Sequence, residues 1–458
     1  VLSSFTPWDI DINEEARSGT LITESALTFT ANGGEIQFSS LALKAEPRAG
    51  YYYQFEVVGL SAVSSSEFVV LPGPVAKVVI NQEPSAGTAP NLTRTGNALA
   101  TQPIIRLLDQ DDNLVTTETG TTLSAAIASG SGGSLLSASA SVVNGIASFN
   151  ALALVGVVET PTQSAEVYRL KFEYGGISSS PSAQLSVMHN IADHISIIRD
   201  AADGRSGLIF DTTPQVVLLD RFGNRVFKDP AVTIIGNPQV QSGTGSAANV
   251  NNNQGVRNTA GVYTFQMGIS GLVGNTYEIN FYKQAGGVTP AVQSNIIITH
   301  GIANKIGFLR LPSSTDSNQV RSKTGEALKV QPVIEVQDAA GNRVLDSADV
   351  ITATLNLTPR GNRDYLTNYT VSALAGVATF SNLAMIVDPN QVYRLNFSYG
   401  SNQHTAEVDL QVTHADAEYL GISTSPVAGN KTGDPLQQSP VIVVYDFDGN
   451  RTTALSGV

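Results

Sequence analysis

Two stretches of this 458-residue chain crowd oxygen-bearing side chains into five positions: Asp109-Gln110-Asp111-Asp112-Asn113 and Asp446-Phe447-Asp448-Gly449-Asn450. Carboxylates gathered in this way are the hard oxygen donors that calcium takes, which makes Asp109, Asp111, Asp446 and Asp448 the candidate metal ligands. Two corresponding stretches, Asp220-Arg221-Phe222-Gly223-Asn224 and Asp338-Ala339-Ala340-Gly341-Asn342, keep the first Asp and the last Asn without the second acid. A turn role covers all four, because an Asp side chain accepts hydrogen bonds from backbone amides ahead of it and Gly-Asn tolerates positive φ. A calcium role covers only two, and no other cofactor is indicated.

His189, His300 and His414 fall about one domain apart. One isolated histidine builds no zinc site without further ligands, so the expected role is a hydrogen bond between neighbouring domains. The chain has no cysteine, which removes thiolate nucleophiles, disulfides and Cys-type zinc sites. No nucleophile elbow, HExxH, P-loop or dinucleotide fingerprint occurs. Acidic pairs such as Glu14-Glu15 fall in loops, with nothing to mark a shared cleft. The residues point to a protein that is not an enzyme.

The elements that carry these turns can be read from repetition. Each five-residue turn ends a strand that opens with proline: Pro103 to Asp109, Pro214 to Asp220, Pro332 to Asp338 and Pro440 to Asp446. Proline at a strand's first position forfeits no ladder bond, and the β-branched run after it favours the strand. A second block recurs out of phase with the first, as Gly145 with Phe149, Leu152 and Leu154 and as Gly376 with Phe380, Leu383 and Met385. A diverged form has Gly261, Phe265 and Ile269, and the earliest copy is the block Gly34-Glu35-Ile36-Gln37-Phe38 with Leu41 and Leu43. A third block alternates with period two: Tyr168-Arg169-Leu170-Lys171-Phe172, Tyr277-Glu278-Ile279-Asn280-Phe281 and Tyr393-Arg394-Leu395-Asn396-Phe397, with Tyr51, Tyr53 and Phe55 in the earliest copy. Alternation of this kind marks strands with one face on a core.

Joints recur where Val187-Met188-His189 leads to Ala192, Ile298-Thr299-His300 to Ala303, Val412-Thr413-His414 to Ala417 and Leu71-Pro72-Gly73 to Ala76. No Gly/Ser or Pro-rich tract intervenes, so a stiff connection is expected. No helical period is sustained over ten residues. The fold class is therefore all-β, tandem immunoglobulin-like antiparallel β-sandwiches arranged as an elongated rod. The expected division is 1–73 as the second half of a unit, complete units at 74–189, 190–300 and 301–414, and 415–458 as the first half of another.

These blocks carry a resemblance. The Pro-to-Asp strand, the Asp-x-x-Gly-Asn turn, the Gly-x-Ala-x-Phe strand and the Tyr-x-Leu-x-Phe strand resemble the bacterial Ig-like repeats of large surface proteins, including invasin- and intimin-type adhesins and giant adhesins. The resemblance covers nearly the whole chain and implies an extracellular place, on the bacterial surface or in a matrix. It implies a stalk or filament segment, with a ligand-binding adhesin region contacting cells or polysaccharide as the alternative. Loops peculiar to one unit, at 155–165 and 242–258, would favour binding.

Composition narrows the partners. With 26 basic and 39 acidic residues the net charge is −13, unsuited to a nucleic-acid backbone or anionic lipid. No run approaches the roughly 18 apolar residues that span a bilayer. The two ends are complementary halves, and reading Val1 after Val458 continues a strand in register. Either the chain is a window in a longer array, or copies join head to tail. On both readings the partner is more of the same repeat.

Overall fold

The computed structural model describes residues 2–9, 20–22, 35, 37–38, 42–57, 60–356, 360–389, 391–400, 402–405, 408–427, 429 and 431–452. Gly34, Ile36 and Leu41 of the earliest block, Glu14-Glu15, and the Val458 and Val1 termini lie outside them. The protein is nearly all β and is built of Ig-like antiparallel sandwiches. Cα proximity divides it into two compact units, Val1–His194 with Leu218–Pro230 and Asn258–Gly261, and Ile195–Val217 with Ala231–Arg257 and Val262–Val458. Among the described residues no helix is long and apolar enough to cross a membrane.

The first two sequence blocks become neighbouring strands. In the Tyr168 sandwich, Ile104–Leu108 pairs with Ile146–Ser148, setting Ile105 opposite Ala147. In the Tyr393 sandwich, Val333–Gln337 pairs with Val377–Thr379, and Ile334 faces Ala378. The opening prolines keep their carbonyls in use, since Phe149, Phe265 and Phe380 donate their amides to Pro103, Pro214 and Pro332 at 3.1, 3.1 and 3.2 Å. Ala rather than a larger residue in the Gly-x-Ala-x-Phe strand suits its position, as Ala147 and Ala378 are both fully buried. One strand passes between layers: Ser139–Val143 pairs with Thr122–Ser129 through its first half and with Ile146–Ser148 through its second. A strand that changes sheets closes a sandwich corner.

The alternating strand is the centre of each core. Tyr168, Leu170 and Phe172, then Tyr277, Ile279 and Phe281, then Tyr393, Leu395 and Phe397 all have 0% exposure. They lie against Thr122–Ser129, Ile234–Ser242 and Val350–Leu355 respectively. Each such side chain contributes roughly 1.5–3 kcal/mol through burial. Rings interlock across the layers, with Phe149–Phe172, Phe265–Phe281 and Phe380–Phe397 centroids 5.5, 4.9 and 5.7 Å apart. Each buried tyrosine must satisfy its hydroxyl. Tyr168 donates to Ser131 O at 2.8 Å, Tyr277 to Leu272 O at 2.8 Å, and Tyr393 accepts from the Asp388 amide at 3.0 Å. Burial first, then the nearby Asp364 carboxylate, pushes the Tyr393 phenol up to about 12. In the earliest copy Tyr51 is 2% exposed and donates to Glu46 O at 2.9 Å, on the strand Arg48–Val57.

Candidate functional site

The turn aspartates are buried, and their oxygens are divided in one way in all four copies. One oxygen holds the turn. Asp109 Oδ1 accepts from the amides of Asp111 and Asn113, both at 2.9 Å, and Asp220 Oδ1 accepts from Phe222 and Asn224, both at 2.9 Å. Asp338 Oδ1 accepts from Asn342 at 2.9 Å, and Asp446 Oδ1 from Asp448 at 3.1 Å and Asn450 at 2.8 Å. The Asn side chain closes the turn by donating Nδ2 to the same carboxylate, at 3.0 Å from Asn113 and 2.9 Å from Asn342.

The other oxygen reaches the joint. Asp109 Oδ2 accepts the Gly73 amide at 3.0 Å, Asp220 Oδ2 the Asn190 amide at 2.7 Å, Asp338 Oδ2 the Gly301 amide at 2.8 Å, and Asp446 Oδ2 the Ala415 amide at 3.1 Å. Each of these amides belongs to the residue immediately after Pro72, His189, His300 or His414. Turn and joint, separate signals in the sequence, are therefore one structure. A carboxylate accepting several N–H groups is a strong, charge-assisted arrangement. At Asp109 burial is the largest influence and pushes the carboxyl up, but the bonds from the Asn113 side chain and the Asn113, Gly73 and Asp111 amides outweigh it, so the group lies below the usual aspartate value. Asp338 is lowered likewise, burial again being outweighed by Asn342 and by the Gly301 and Gly341 amides.

The second acids of the candidate calcium sites face basic groups. Asp111 forms an ion pair with Lys44. Asp448 Oδ2 lies 2.7 Å from Arg360 Nη2, whose Nη1 donates to Asn450 Oδ1 at 3.0 Å and whose Nε lies 2.8 Å from Asp364 Oδ1. Burial lowers the Arg360 guanidinium and the bonds to Asp448 and Asp364 more than restore it, leaving it raised. Among the described residues no group of three or more His, Asp or Glu side chains converges as a metal site would require. The turns that lack a second acid use other contacts at the same place. Gly96 has φ +75° and no room for a Cβ against the Phe222 ring, while Asn342 donates to Gly271 O at 2.8 Å and accepts from the Val273 amide at 2.8 Å.

The histidines differ among themselves. His189 is 1% exposed, its Nδ1 is 2.9 Å from Asn190 O and its Nε2 is 3.0 Å from the Lys228 amide. The carbonyl requires a proton on Nδ1 and the amide requires a bare Nε2, so this ring is a neutral connector. His300 Nδ1 lies 3.0 Å from Gly301 O and Nε2 lies 3.8 Å from Asp346. His414 Nδ1 lies 3.3 Å from Ala415 O.

One recurring element escapes a reading based on the turn and the joint. A basic residue, a hydroxyl residue and a glycine stand together as Arg94-Thr95-Gly96, Arg205-Ser206-Gly207, Lys323-Thr324-Gly325 and Lys431-Thr432-Gly433, at one fixed distance before each turn Asp. In three copies the basic residue makes a parallel bridge to the residue before the joint histidine: Arg94 to Met188, Arg205 to Thr299 and Lys323 to Thr413. Its side chain then crosses the joint. Arg94 lies 2.7 Å from Asp229 and also donates to His189 O at 3.2 Å, Arg205 lies 3.8 Å from Asp346, and Lys323 lies 2.6 Å from Asp416. The buried hydroxyl ties the same segment into its own sandwich, with Thr95 accepting from the Gly156 amide at 3.0 Å, Ser206 donating to Gly271 O at 2.9 Å and Thr324 accepting from the Val387 amide at 3.1 Å. The fixed spacing was the signal that could have found this motif.

No protein-family profile matches the chain. No curated protein matches it either. The solved structures it is similar to include bacterial Ig-like adhesins and surface-layer proteins. One is the Escherichia coli adhesin FdeC, at 13% identity over 76% of this chain and 100% of that one, with a TM-score of 0.27. Another is invasin, a bacterial integrin-binding protein, at 10% identity over 93% of this chain and 75% of that one, with a TM-score of 0.27. A third is domains 1–6 of the surface-layer protein SbsC, at 11% identity over 98% of this chain and 54% of that one, with a TM-score of 0.19.

Proposed function

We propose that the chain is a structural stalk or filament segment of an extracellular bacterial surface or matrix protein. Its units run over 74–189, 190–300 and 301–414, with partial units at 1–73 and 415–458 that continue into more of the same repeat, head to tail through complementary halves in the filament form. The observation that carries this reading is the shared fate of Asp109, Asp220, Asp338 and Asp446. Each spends one oxygen on its own turn and the other on the amide that enters the turn's own unit. Four repetitions of one lock, each pinning the backbone that enters a sandwich to that same sandwich, suit a chain whose task is to stay folded under load along its length. Calcium is unnecessary to this arrangement, because amides and cations already surround the carboxylates.

Force spectroscopy on the chain tests the reading. Releasing one joint by Asp220→Ala is expected to lower the unfolding force of the adjoining sandwiches and leave the Tyr393 sandwich unchanged. Equal forces in both proteins would remove the joint from any structural role.

A ligand-binding region is the second reading, and one observation favours it. The Tyr393 sandwich has an open groove of about 360 Å³ lined by Thr354, Asp364, Tyr365, Leu366 and Tyr369. Tyr365 and Tyr369 are both about half exposed, and tyrosine rings beside hydroxyl and carboxylate groups suit a polysaccharide. A glycan array that binds the chain but not its Tyr365→Ala and Tyr369→Ala variants would support this reading, and no binding would remove it.

A further inference from the structure

Two of the joint histidines hold equivalent places and face opposite neighbours. His189 and His300 each bring Nδ1 to the carbonyl of the next residue, 2.9 Å from Asn190 O and 3.0 Å from Gly301 O. The residue four beyond the turn Asn meets Nε2 in both, Lys228 after Asn224 and Asp346 after Asn342. Lys228 offers its backbone N–H at 3.0 Å, whereas Asp346 offers a carboxylate oxygen at 3.8 Å. Nε2 of His189 is therefore an acceptor, and Nε2 of His300 faces one. Each set of residues lies wholly within one compact unit.

The His189 ring is closed in, with the Phe227 ring 5.7 Å away and with Leu92, Ala165 and Val187 beside it around a cavity of about 20 Å³. The charged groups about it are already paired. Lys228 Nζ pairs with Glu159, Arg94 lies 2.7 Å from Asp229 and donates to His189 O at 3.2 Å, and Asp220 accepts the Asn190 amide at 2.7 Å. Among the described residues no carboxylate makes an ion pair with this ring. A proton on Nε2 would set one N–H against the Lys228 N–H in a site closed to water, which forfeits a hydrogen bond and buries a charge. His300 is the converse. A proton on its Nε2 points at Asp346, with Arg205 3.8 Å from the same carboxylate and Asp338 holding the Gly301 amide at 2.8 Å.

We propose that the joint at His189 is an acid-released latch and that the joint at His300 is not. The locked His189 keeps Nε2 bare, whereas a ring freed from the joint takes up a proton near the ordinary histidine value of about 6.5. Opening therefore consumes a proton, and falling pH drives it. With the proton excluded from the locked form, the open population at this joint rises roughly thirtyfold from pH 8 to pH 5. At His300 the same proton supplies a donor to Asp346, so acid does not open that joint. The window lies above the range in which Asp109 and Asp338 lose their charge, so the two acid responses separate.

Hydrogen–deuterium exchange on the full chain between pH 8 and pH 5, corrected for the intrinsic pH dependence of exchange, reads each joint separately. The Lys228 amide is expected to lose protection toward acid by about that factor, and the Gly301 amide to keep its own. His189→Gln retains an acceptor that does not titrate, so the loss at residue 228 should vanish in it. Lys228→Ala keeps the amide and removes the ammonium, so there the loss should persist. A flat profile at Lys228 in the unaltered chain, or an equal loss in His189→Gln, would overturn the proposal. If the glutamine fails to hold the joint at pH 8, nitrogen NMR of the His189 ring decides. An Nε2 that gains its proton only as Lys228 loses protection supports the latch, and one that gains it while Lys228 stays protected overturns it.

Discussion

The smallest unit that explains this protein is a single carboxylate shared between a turn and a joint. Asp338 is 1% exposed, and its loss strands the Gly301 and Asn342 amides. Asp338→Ala is therefore expected to cost roughly 2–4 kcal/mol, read as a lower urea midpoint. Strain at a neighbouring turn runs the other way. Asn144 and Gly145 take φ of 51° and 76°, the pair of positive values that a type I′ hairpin needs, and Ala375 and Gly376 take 49° and 75°. Alanine pays a steric cost there that asparagine largely avoids. Ala375→Asn is expected to stabilise the Tyr393 sandwich by about 0.5–1 kcal/mol in thermal unfolding. The turn aspartates were legible in the sequence because local hydrogen bonding decides them. Their second partners were not, because Gly73, Asn190, Gly301 and Ala415 lie at a distance only the folded sandwich closes. Asp111 and Asp448, which the sequence places beside other oxygens, stand beside Lys44 and Arg360 in the fold, contacts that local sequence does not show.

At the scale of elements, the strands were readable from proline, glycine and period-two alternation, since burial on one face imposes that pattern. The basic–hydroxyl–glycine segment was harder to see. It is short and irregular, and it owes its place to a parallel bridge rather than to any propensity of its own. Two expectations belong to the joints these elements form. Gly96 has φ +75° with the Phe222 ring where a Cβ would lie, so Gly96→Ala must push that ring aside. Faster proteolysis near His189, with the Tyr393 sandwich unaffected, is the expected sign. Acid should act at the joints as well. Asp109 and Asp338 are lowered in the folded protein, so their contribution is present above the ordinary aspartate value of 3.8 and is lost as pH falls below it through the lowered values. Urea midpoints measured from pH 6 to pH 2 should fall across that window, and the fall should be smaller in an Asp109→Asn/Asp338→Asn variant.

The described residues of the molecule form Ig-like sandwiches, and the backbone entering them is bonded by side chains. The joint amides are held by carboxylates, the joint histidine by its own backbone and, at His189, by the next turn, and the basic segment by an acid across the joint. Loops between independent domains exchange their amide hydrogens quickly, whereas amides inside a cooperative unit are protected. Hydrogen–deuterium exchange resolved at Gly73, Asn190, Gly301 and Ala415 therefore tests the joint lock most directly. Slow exchange at all four is expected, comparable to strand amides such as Leu170 and Leu395, with protection lost at Asn190 in Asp220→Ala. Exchange at the rate of exposed loops in the unaltered chain would contradict it.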